Sequence, residues 1–348
     1  MTPDPIRVLV VDDSAYMRKV IREMLERSAS IQVVGTAFNG KDALEKTAEL
    51  QPDVVTVDLY MPELDGVGFV QAQMLRRPVP IVLCTSASEN GEDAMAALEA
   101  GAVEVVHKPT AQALDTVRSI GEDLIRAVTA AGAVSRKMLV IQEPGPVLPV
   151  VRSFRRAGSI DAVLIGISTG GPRALRGLLP RFPADFPVPM AIVLHMPPGY
   201  TQPLAQKLNE LSSLEVLESR DGLEMLPGRV ILAQAGLNTR LARRADGVVV
   251  TSLDGDCSES LYCPAVDALF KSGATVYGNR VLGVVMTGMG NDGTVGSAWI
   301  KGNGGRVFAE DESTSIVYGM PRSVVEAGLA DQVIPLDQMA EKIMEAVG

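Results

Sequence analysis

The sequence predicts an α/β protein with two parallel-sheet domains in tandem. Three observations carry this reading. From Ile6 to about Thr110, short apolar runs alternate with amphipathic helical stretches; the pattern changes from about Gly121 to Gly158, where QEPGPVLPVVRSFRRAGS is rich in Pro, Gly and Arg and shows no clean periodicity; a second alternation starts at Asp161. Apolar strands joined by helix-length segments bury both faces of a sheet, which is the parallel arrangement. At 348 residues, two domains are also the expected number.

In the first half, IRVLVVDD reads as a buried strand and SAYMRKVIREMLERS as a helix with Ser14 as its N-cap. IQVVGTAF, VVTVDL, IVLCTS and VEVVHKP are further strands, with helical segments between them. LIRAVTAAGAV allows a helix to continue, and QEPGPVLPVVRSFRRAGS reads as a linker. In the second half, DAVLIGIS, MAIVLHM, RVILAQ, GVVVTSL and VLGVVMTG are strand candidates. Within GRVILAQAGLNTRLARRADGVVVTSL the strands are separated only by short turn-rich pieces, which predicts a β-hairpin or meander inserted in the domain. The expected boundaries are 1–125 for the first domain, 126–158 for the linker and 159–348 for the second domain.

Composition narrows the function classes. With 47% apolar and 21% charged residues, the chain has an ordinary globular balance, and its formal net charge of −10 argues against nucleic acid as a main partner. No apolar run is long enough to span a bilayer, so no membrane insertion is expected. The N-terminal MTPDPIRVLVVDD lacks a basic segment followed by a signal-like apolar one. Three cysteines, Cys84, Cys257 and Cys263, are an odd number without C-x-x-C spacing; neither a disulfide framework nor a structural zinc site is expected, and a cytoplasmic location fits. Only two histidines, His107 and His195, are available for imidazole chemistry.

Asp12 and Asp13 end the first strand and Asp58 the third, on the side of a parallel sheet where ligands bind. Three carboxylates there repel one another, and a hard divalent cation such as Mg2+ relieves the repulsion. Thr85 and Lys108 end the next strands, and a hydroxyl with an ammonium suits a phosphoryl group held on a carboxylate. Lys108–Pro109 also admits a cis peptide, which would aim the lysine inward. His107, beside Lys108, is turned away from this pocket by strand alternation and reads as a structural or surface residue.

This ordered set, with DLYMPELDG after it, resembles a response-regulator receiver domain, a flavodoxin-like (βα)5 fold. The resemblance implies that Asp58 accepts a phosphoryl group from a histidine kinase. It further implies that Asp12, Asp13, Asp58 and the backbone carbonyl of Tyr60 hold Mg2+, while Thr85 and Lys108 bind the phosphoryl oxygens.

In the second half, GISTGGP places Ser168 at a strand-to-helix turn. Gly166-Ile167-Ser168-Thr169-Gly170 satisfies the G-x-S-x-G pattern of a nucleophile elbow. A phosphate-binding loop and a plain helix N-cap fit the same residues. His195 ends the apolar run MAIVLHM and precedes Pro-Pro-Gly; it is either a loop residue or a base beside the serine. Asp292, in TGMGNDG after VLGVVM, is either a turn residue or the acceptor that orients the base. The chain order Ser, His, Asp differs from that of α/β-hydrolases, so a Rossmann-like doubly wound sheet is expected rather than that fold.

GISTGGP, HMPPGYT, LPGRVILA, PAVDALF, TGMGNDG and YGMPRS together resemble the chemotaxis protein-glutamate methylesterase / protein-glutamine glutaminase family. The resemblance implies a Ser168, His195, Asp292 triad, with Thr169 and the Met289 backbone N–H beside the active centre, and no cofactor in this domain. The substrate it implies is a glutamate γ-methyl ester, or a glutamine, on the cytoplasmic region of a methylated chemoreceptor. It also implies that the unphosphorylated first domain covers the active crevice and that phosphorylation exposes it. Two departures concern receptor recognition: Tyr262-Cys263 stands before PAVD, where the family commonly has an arginine next to the proline, and the linker carries Arg152, Arg155 and Arg156. The rival expectation is a non-catalytic module whose Gly-rich loops bind a nucleotide phosphate, with Asp185 the nearest candidate for ribose; a DNA-binding output is disfavoured by the chain's acidity.

Overall fold

The computed structural model describes residues 4–86, 91–108, 114–134, 139, 160–258 and 260–348. The chain divides into two compact units, Met1–Gln142 and Glu143–Gly348. Pro109, Arg152, Arg155 and Arg156 lie outside the described residues, and with them the expected cis peptide and the basic linker.

In the first unit five strands, β1 (Ile6–Val11), β2 (Ile31–Ala37), β3 (Val54–Asp58), β4 (Ile81–Thr85) and β5 (Glu104–His107), form one sheet in the order β2-β1-β3-β4-β5. All its pairings are parallel. Helices α1 (Ala15–Leu25), α2 (Gly40–Leu50), α3 (Gly66–Arg76), α4 (Gly91–Glu99) and α5 (Leu114–Gly132) complete the alternation. β3 and β4 are buried along their whole length, as strands covered on both faces must be. Polar caps set the helix starts: Ser14 accepts from the Met17 N–H, Asn39 from Asp42 and Asp65 from Gly68. α5 continues past residue 125, because buried Leu124, Ala127, Val128 and Ala131 keep the helical spacing.

The second unit holds seven strands in one parallel sheet and a separate hairpin. The sheet comprises β6 (Ala162–Ile167), β7 (Met190–Leu194), β8 (Glu215–Glu218), β9 (Arg229–Leu232), β12 (Val281–Val285), β13 (Arg306–Glu310) and β14 (Gln332–Ile334). Its order is β14-β13-β12-β6-β7-β9-β8. Helices α6 (Gly171–Leu178), α7 (Thr201–Leu211), α8 (Val266–Tyr277), α9 (Thr294–Gly302), α10 (Met320–Glu326) and α11 (Leu336–Val347) alternate with the strands. β6, the first strand in sequence, lies centrally, and the chain builds outward from it on both sides. The strand order reverses between β6 and β12, and in such sheets ligands bind at the strand carboxyl ends beside this switch point.

The inserted antiparallel element is β10 (Asn238–Arg243) paired with β11 (Val249–Asp254). The expected meander is therefore shorter than its sequence signature, since β9 pairs in parallel with β7 and β8 instead. β8 was not foreseen: its sequence EVLE has a glutamate at each end, as an edge strand tolerates.

One sequence expectation is corrected. Cys257 and Cys263 are bonded to each other, with Cα atoms 5.7 Å apart. The chain folds back between them, a closure that spacing rules do not reveal. Cys84 is the remaining free and buried thiol. Among the described residues no helix is long and apolar enough to cross a membrane.

Candidate active site

The register of the second sheet sets the first two candidate side chains together. Ile167 of β6 pairs with Leu194 of β7, so Ser168 and His195 are the next residues on neighbouring strands. The His195 N–H donates to the Ile167 carbonyl at 3.2 Å. On the other side of β6, the Ser168 N–H donates to the Thr287 carbonyl at 2.9 Å, which brings the loop after β12 alongside.

Ser168 is not the N-cap of α6. That position is taken by Gly170, whose φ of +81° is a left-handed conformation that suits glycine, and no side chain caps the helix. Ser168 Oγ is thus not engaged as a cap, and the side chain is 7% exposed. The turn is tight: a β-carbon on Gly288 would lie 2.7 Å from Ser168 Cβ and 2.5 Å from Met320 Sδ. Only a residue without a side chain lets the two loops approach in this way.

His195 and Asp292, 97 residues apart, meet through Nε2 and Oδ2 at 2.9 Å. Both side chains are nearly buried, at 8% and 5% exposure. Asp292 Oδ2 also accepts from the Val266 N–H at 2.7 Å, and Oδ1 from the Asp267 N–H at 3.0 Å. These are the first two N–H groups of α8, which have no partner within the helix. Burial pushes the Asp292 carboxyl up, but the hydrogen bond and charge of His195, with the Val266 and Asp267 N–H groups, outweigh it and hold the carboxyl below its usual range. An ionised carboxylate only accepts, so in the neutral ring the proton belongs on Nε2 and the lone pair on Nδ1. Nδ1 is buried and, among the described residues, has no hydrogen-bond partner. The structure brings His195 to Asp292 and sets Ser168 beside them, but Ser168 Oγ and His195 Nδ1 do not hydrogen-bond.

Asp267, within PAVDALF and without a role legible in the sequence, does for α9 what Asp292 does for α8. Its Oδ1 accepts from the Gly293 N–H at 3.0 Å and the Gly296 N–H at 2.6 Å, at the start of α9. Each aspartate thus caps the helix that the other begins or precedes. Burial raises the Asp267 carboxyl above its ordinary value, against the Gly296 N–H that favours its charge.

A second residue that the sequence did not signal is Glu310, the last of β13 and wholly buried. It accepts from the Thr287 N–H at 2.8 Å and from Thr314 Oγ1 at 3.0 Å. Thr287 Oγ1 donates to the Thr169 carbonyl at 2.9 Å and accepts from the Val317 N–H at 3.0 Å, while the Gly288 N–H donates to the Val317 carbonyl. The loop that leads to Met289 is therefore fixed from three sides. Met289 is half-buried and Thr169 buried. Burial pushes the Glu310 carboxyl up to about 7. Asp185, the candidate for a ribose contact, is exposed in a turn before β7.

In the first unit, Asp12, Asp13 and Asp58 offer carboxylate oxygens within 4.8 Å of one another. Asp12 and Asp58 are buried and Asp13 is exposed. Lys108 Nζ reaches Asp58 Oδ1 at 2.6 Å and Asp12 Oδ2 at 3.0 Å. Burial disfavours charge on Lys108, but the hydrogen bond and charge of Asp58, then those of Asp12, outweigh it and raise its pKa above the ordinary lysine value. Thr85 is buried at the end of β4, and its carbonyl accepts from the Lys108 N–H at 2.7 Å. An all-oxygen donor set with two buried members fits a hard divalent cation. The Tyr60 side chain is exposed and donates to Asp93 Oδ2 at 2.5 Å. His107 is half-buried on β5 and acts electrostatically on Asp123.

Residues 163–343 match the family described as CheB methylesterase, and residues 8–117 match the response regulator receiver domain. The chain is 48% identical to protein-glutamate methylesterase/protein-glutamine glutaminase 5 of Myxococcus xanthus, over 96% of both chains. It is 44% identical to the protein-glutamate methylesterase/protein-glutamine glutaminase of Symbiobacterium thermophilum, over 99% of this chain and 98% of that one. Among solved structures, the Thermotoga maritima CheB methylesterase catalytic domain superposes with a TM-score of 0.52 and 42% identity, covering 53% of this chain and 98% of that one.

Two outcomes follow from the carboxylates. Asp267→Ala removes the acceptor for the Gly293 and Gly296 N–H groups and is expected to destabilise the second unit by about 1–2 kcal/mol, whereas Asp267→Asn keeps an acceptor oxygen and most of that stability; urea unfolding of the two variants checks this. Glu310 ionises at its ordinary value of 4.5 when unfolded and at about 7 when folded. Between those values the folded state keeps a proton that the unfolded state has released, so this group's contribution to stability falls as pH rises through that window and is constant above it. The stability gained by Glu310→Gln over the parent is expected to grow by about 3 kcal/mol between about pH 4 and about pH 8. A gain that stays constant across that range would exclude the buried carboxyl as its source.

Proposed function

The chain belongs to the CheB methylesterase family, and from that premise we propose a phosphorylation-regulated hydrolase of glutamate γ-methyl esters, and of glutamine amides, on the cytoplasmic region of chemoreceptors. The observation that carries the reading is the His195–Asp292 hydrogen bond, which leaves the basic Nδ1 on the strand next to Ser168.

The reaction runs as follows. Ser168 Oγ turns to His195 Nδ1, loses its proton to it, and attacks the ester carbonyl carbon. Asp292, held ionised by the α8 N–H groups, stabilises the imidazolium that forms. The carbonyl oxygen becomes an oxyanion. The Met289 N–H is the proposed donor for it; the N–H groups of the two residues before it are committed to Glu310 and Val317. Buried Thr169 lines the same turn. The imidazolium returns the proton to the leaving oxygen, methanol departs, and an acyl-serine remains. Water, deprotonated by His195, cleaves it to a carboxylate and free Ser168. With glutamine, ammonia leaves in place of methanol. Catalytic hydrogen bonds that are open without substrate commonly tighten when it binds, so the unmade Ser168–His195 contact is compatible with this path.

In the first unit Asp58 accepts the phosphoryl group from a kinase, with Asp12, Asp13, Asp58 and the Tyr60 carbonyl as the proposed holders of Mg2+. The cation supplies charge neutralisation for transfer to a carboxylate. Lys108 and Thr85 are the proposed ligands of the new oxygens, a reading supported by the Lys108–Asp58 pair and by Thr85 at the end of the next strand. Phosphorylation then biases a two-state equilibrium toward the active form.

Ser168→Ala is expected to lower methanol release from methylated receptor membranes by more than about a thousandfold while leaving the thermal melt unchanged; retained turnover would refute the serine path. Asp58→Asn is expected to keep basal release but lose its stimulation by acetyl phosphate, and equal stimulation in variant and parent would exclude Asp58 as the acceptor.

A further inference from the structure

Tyr262 stands where the family resemblance led us to expect a different neighbourhood, directly before Cys263 and PAVD. Its phenol ring lies flat on the His195 imidazole, with ring centroids 4.0 Å apart and 2° between the planes. No other aromatic contact with that imidazole is found among the described residues.

The stack bears on a freedom that the hydrogen bonds leave open. One bond from Nε2 to Asp292 fixes one edge of the imidazole, and that bond is an axis about which the ring still tilts. Tilting displaces Nδ1, the nitrogen on which the proposed proton transfer depends. A flat ring against one face blocks the tilt. Aromatic stacking provides an attraction in that geometry, and it strengthens when the imidazole becomes a cation over the ring face.

The segment that delivers the phenol is itself pinned. Asn238, 3% exposed, donates from Nδ2 to the Asp256 carbonyl at 2.9 Å and accepts at Oδ1 from the Ala265 N–H at 2.9 Å. One buried amide therefore ties both ends of the stretch. Between them, the Cys263 carbonyl accepts from the Gly236 N–H at 3.0 Å, Cys263 is bonded to Cys257, and the Tyr262 N–H donates to Ser260 Oγ at 3.1 Å. At its far end the phenol oxygen lies 3.0 Å from where a β-carbon on Gly290 would sit, and Gly290 has a φ of +90°. The same ring spans from the imidazole to the loop that carries Met289.

From this geometry, and resting on the reaction proposed above, we infer that Tyr262 is a positioning residue that holds the His195 ring at the angle from which Nδ1 takes the serine proton. Its ring plane carries the role, not its hydroxyl.

The test uses the full chain and compares the parent with Tyr262→Leu and Tyr262→Phe. Methanol release is followed as methylated receptor membranes are varied. Tyr262→Leu is expected to lower kcat roughly 10- to 100-fold with KM within about threefold, the pattern of a misplaced group that is not a substrate contact. Tyr262→Phe is expected to stay within about threefold of the parent in both constants. Diethyl pyrocarbonate labelling, read by peptide mass, supplies a second readout. With only two histidines in the chain, His107 is the internal reference. His195 is expected to label several-fold faster in Tyr262→Leu than in the parent or Tyr262→Phe. Parental kcat in Tyr262→Leu, a loss confined to KM, or equal losses in both variants would overturn the role. So would equal labelling of His195 in all three, and in that case methanol release by the parent still upholds the esterase. No methanol from the parent overturns both readings, whatever the labelling shows. Should Tyr262→Leu melt below the assay temperature, Tyr262→Met removes the ring with an unbranched chain, and the same outcomes apply.

Discussion

A buried carboxylate needs partners, and most of what is distinctive in the second unit follows from how Asp292 finds them. Its oxygens take the first N–H groups of α8, and its remaining capacity holds an imidazole. Two otherwise costly conditions meet there: helix N-termini carry N–H groups without partners, and a carboxylate out of water lacks its hydration. Each satisfies the other. Asp267 repeats the arrangement in reverse at the start of α9, so the two helices and the loop between β12 and α9 are tied by a pair of crossed caps. The same arrangement anchors one edge of His195, through Nε2 on Asp292 Oδ2.

The receiver-like pocket works by a related economy of charge. Asp12 and Asp58 are buried close together and would repel each other strongly if left alone. Lys108 bridges both, and its own burial is compensated by them. A cluster balanced in this way is sensitive to any charge added to one member. That is what a phosphoryl group on Asp58 would do, and it is a physical reason for a signal to be received there.

Much of this was legible in the chain. Buried strands of parallel sheets read as continuous apolar runs, so β1, β3, β4, β6, β7 and β12 and the residues that end them could be named in advance. Strand ends in such sheets gather on one side, which is why Asp58 and Lys108 come together, and why Ser168 and His195 do. What was not legible depends on distant pairing. β9 looked like part of a meander, since its neighbours in sequence are turn-rich, but its partners in space are β7 and β8. Asp267 reads as an ordinary first-turn acid until its acceptors at Gly293 and Gly296 are known. Tyr262 was visible only as the neighbour of Cys263, which stands where the resemblance leads one to expect an arginine; its stack on His195 and the Cys257–Cys263 bond both depend on contacts that no periodicity records.

The central place of β6 in its sheet has a consequence for biosynthesis. Because β6 pairs with β7 on one side and β12 on the other, a ribosome that has released the polypeptide only as far as β11 has delivered the serine and the imidazole but not the strand beside them or the acid that follows it. Until then the backbone N–H and C=O groups of β6 on that side have no ladder partner, and the elbow has no loop packed against it. The loop that carries Asp292 packs beside Ser168 and His195 only when the last fifth or so of the sequence arrives, so the three side chains meet late in synthesis.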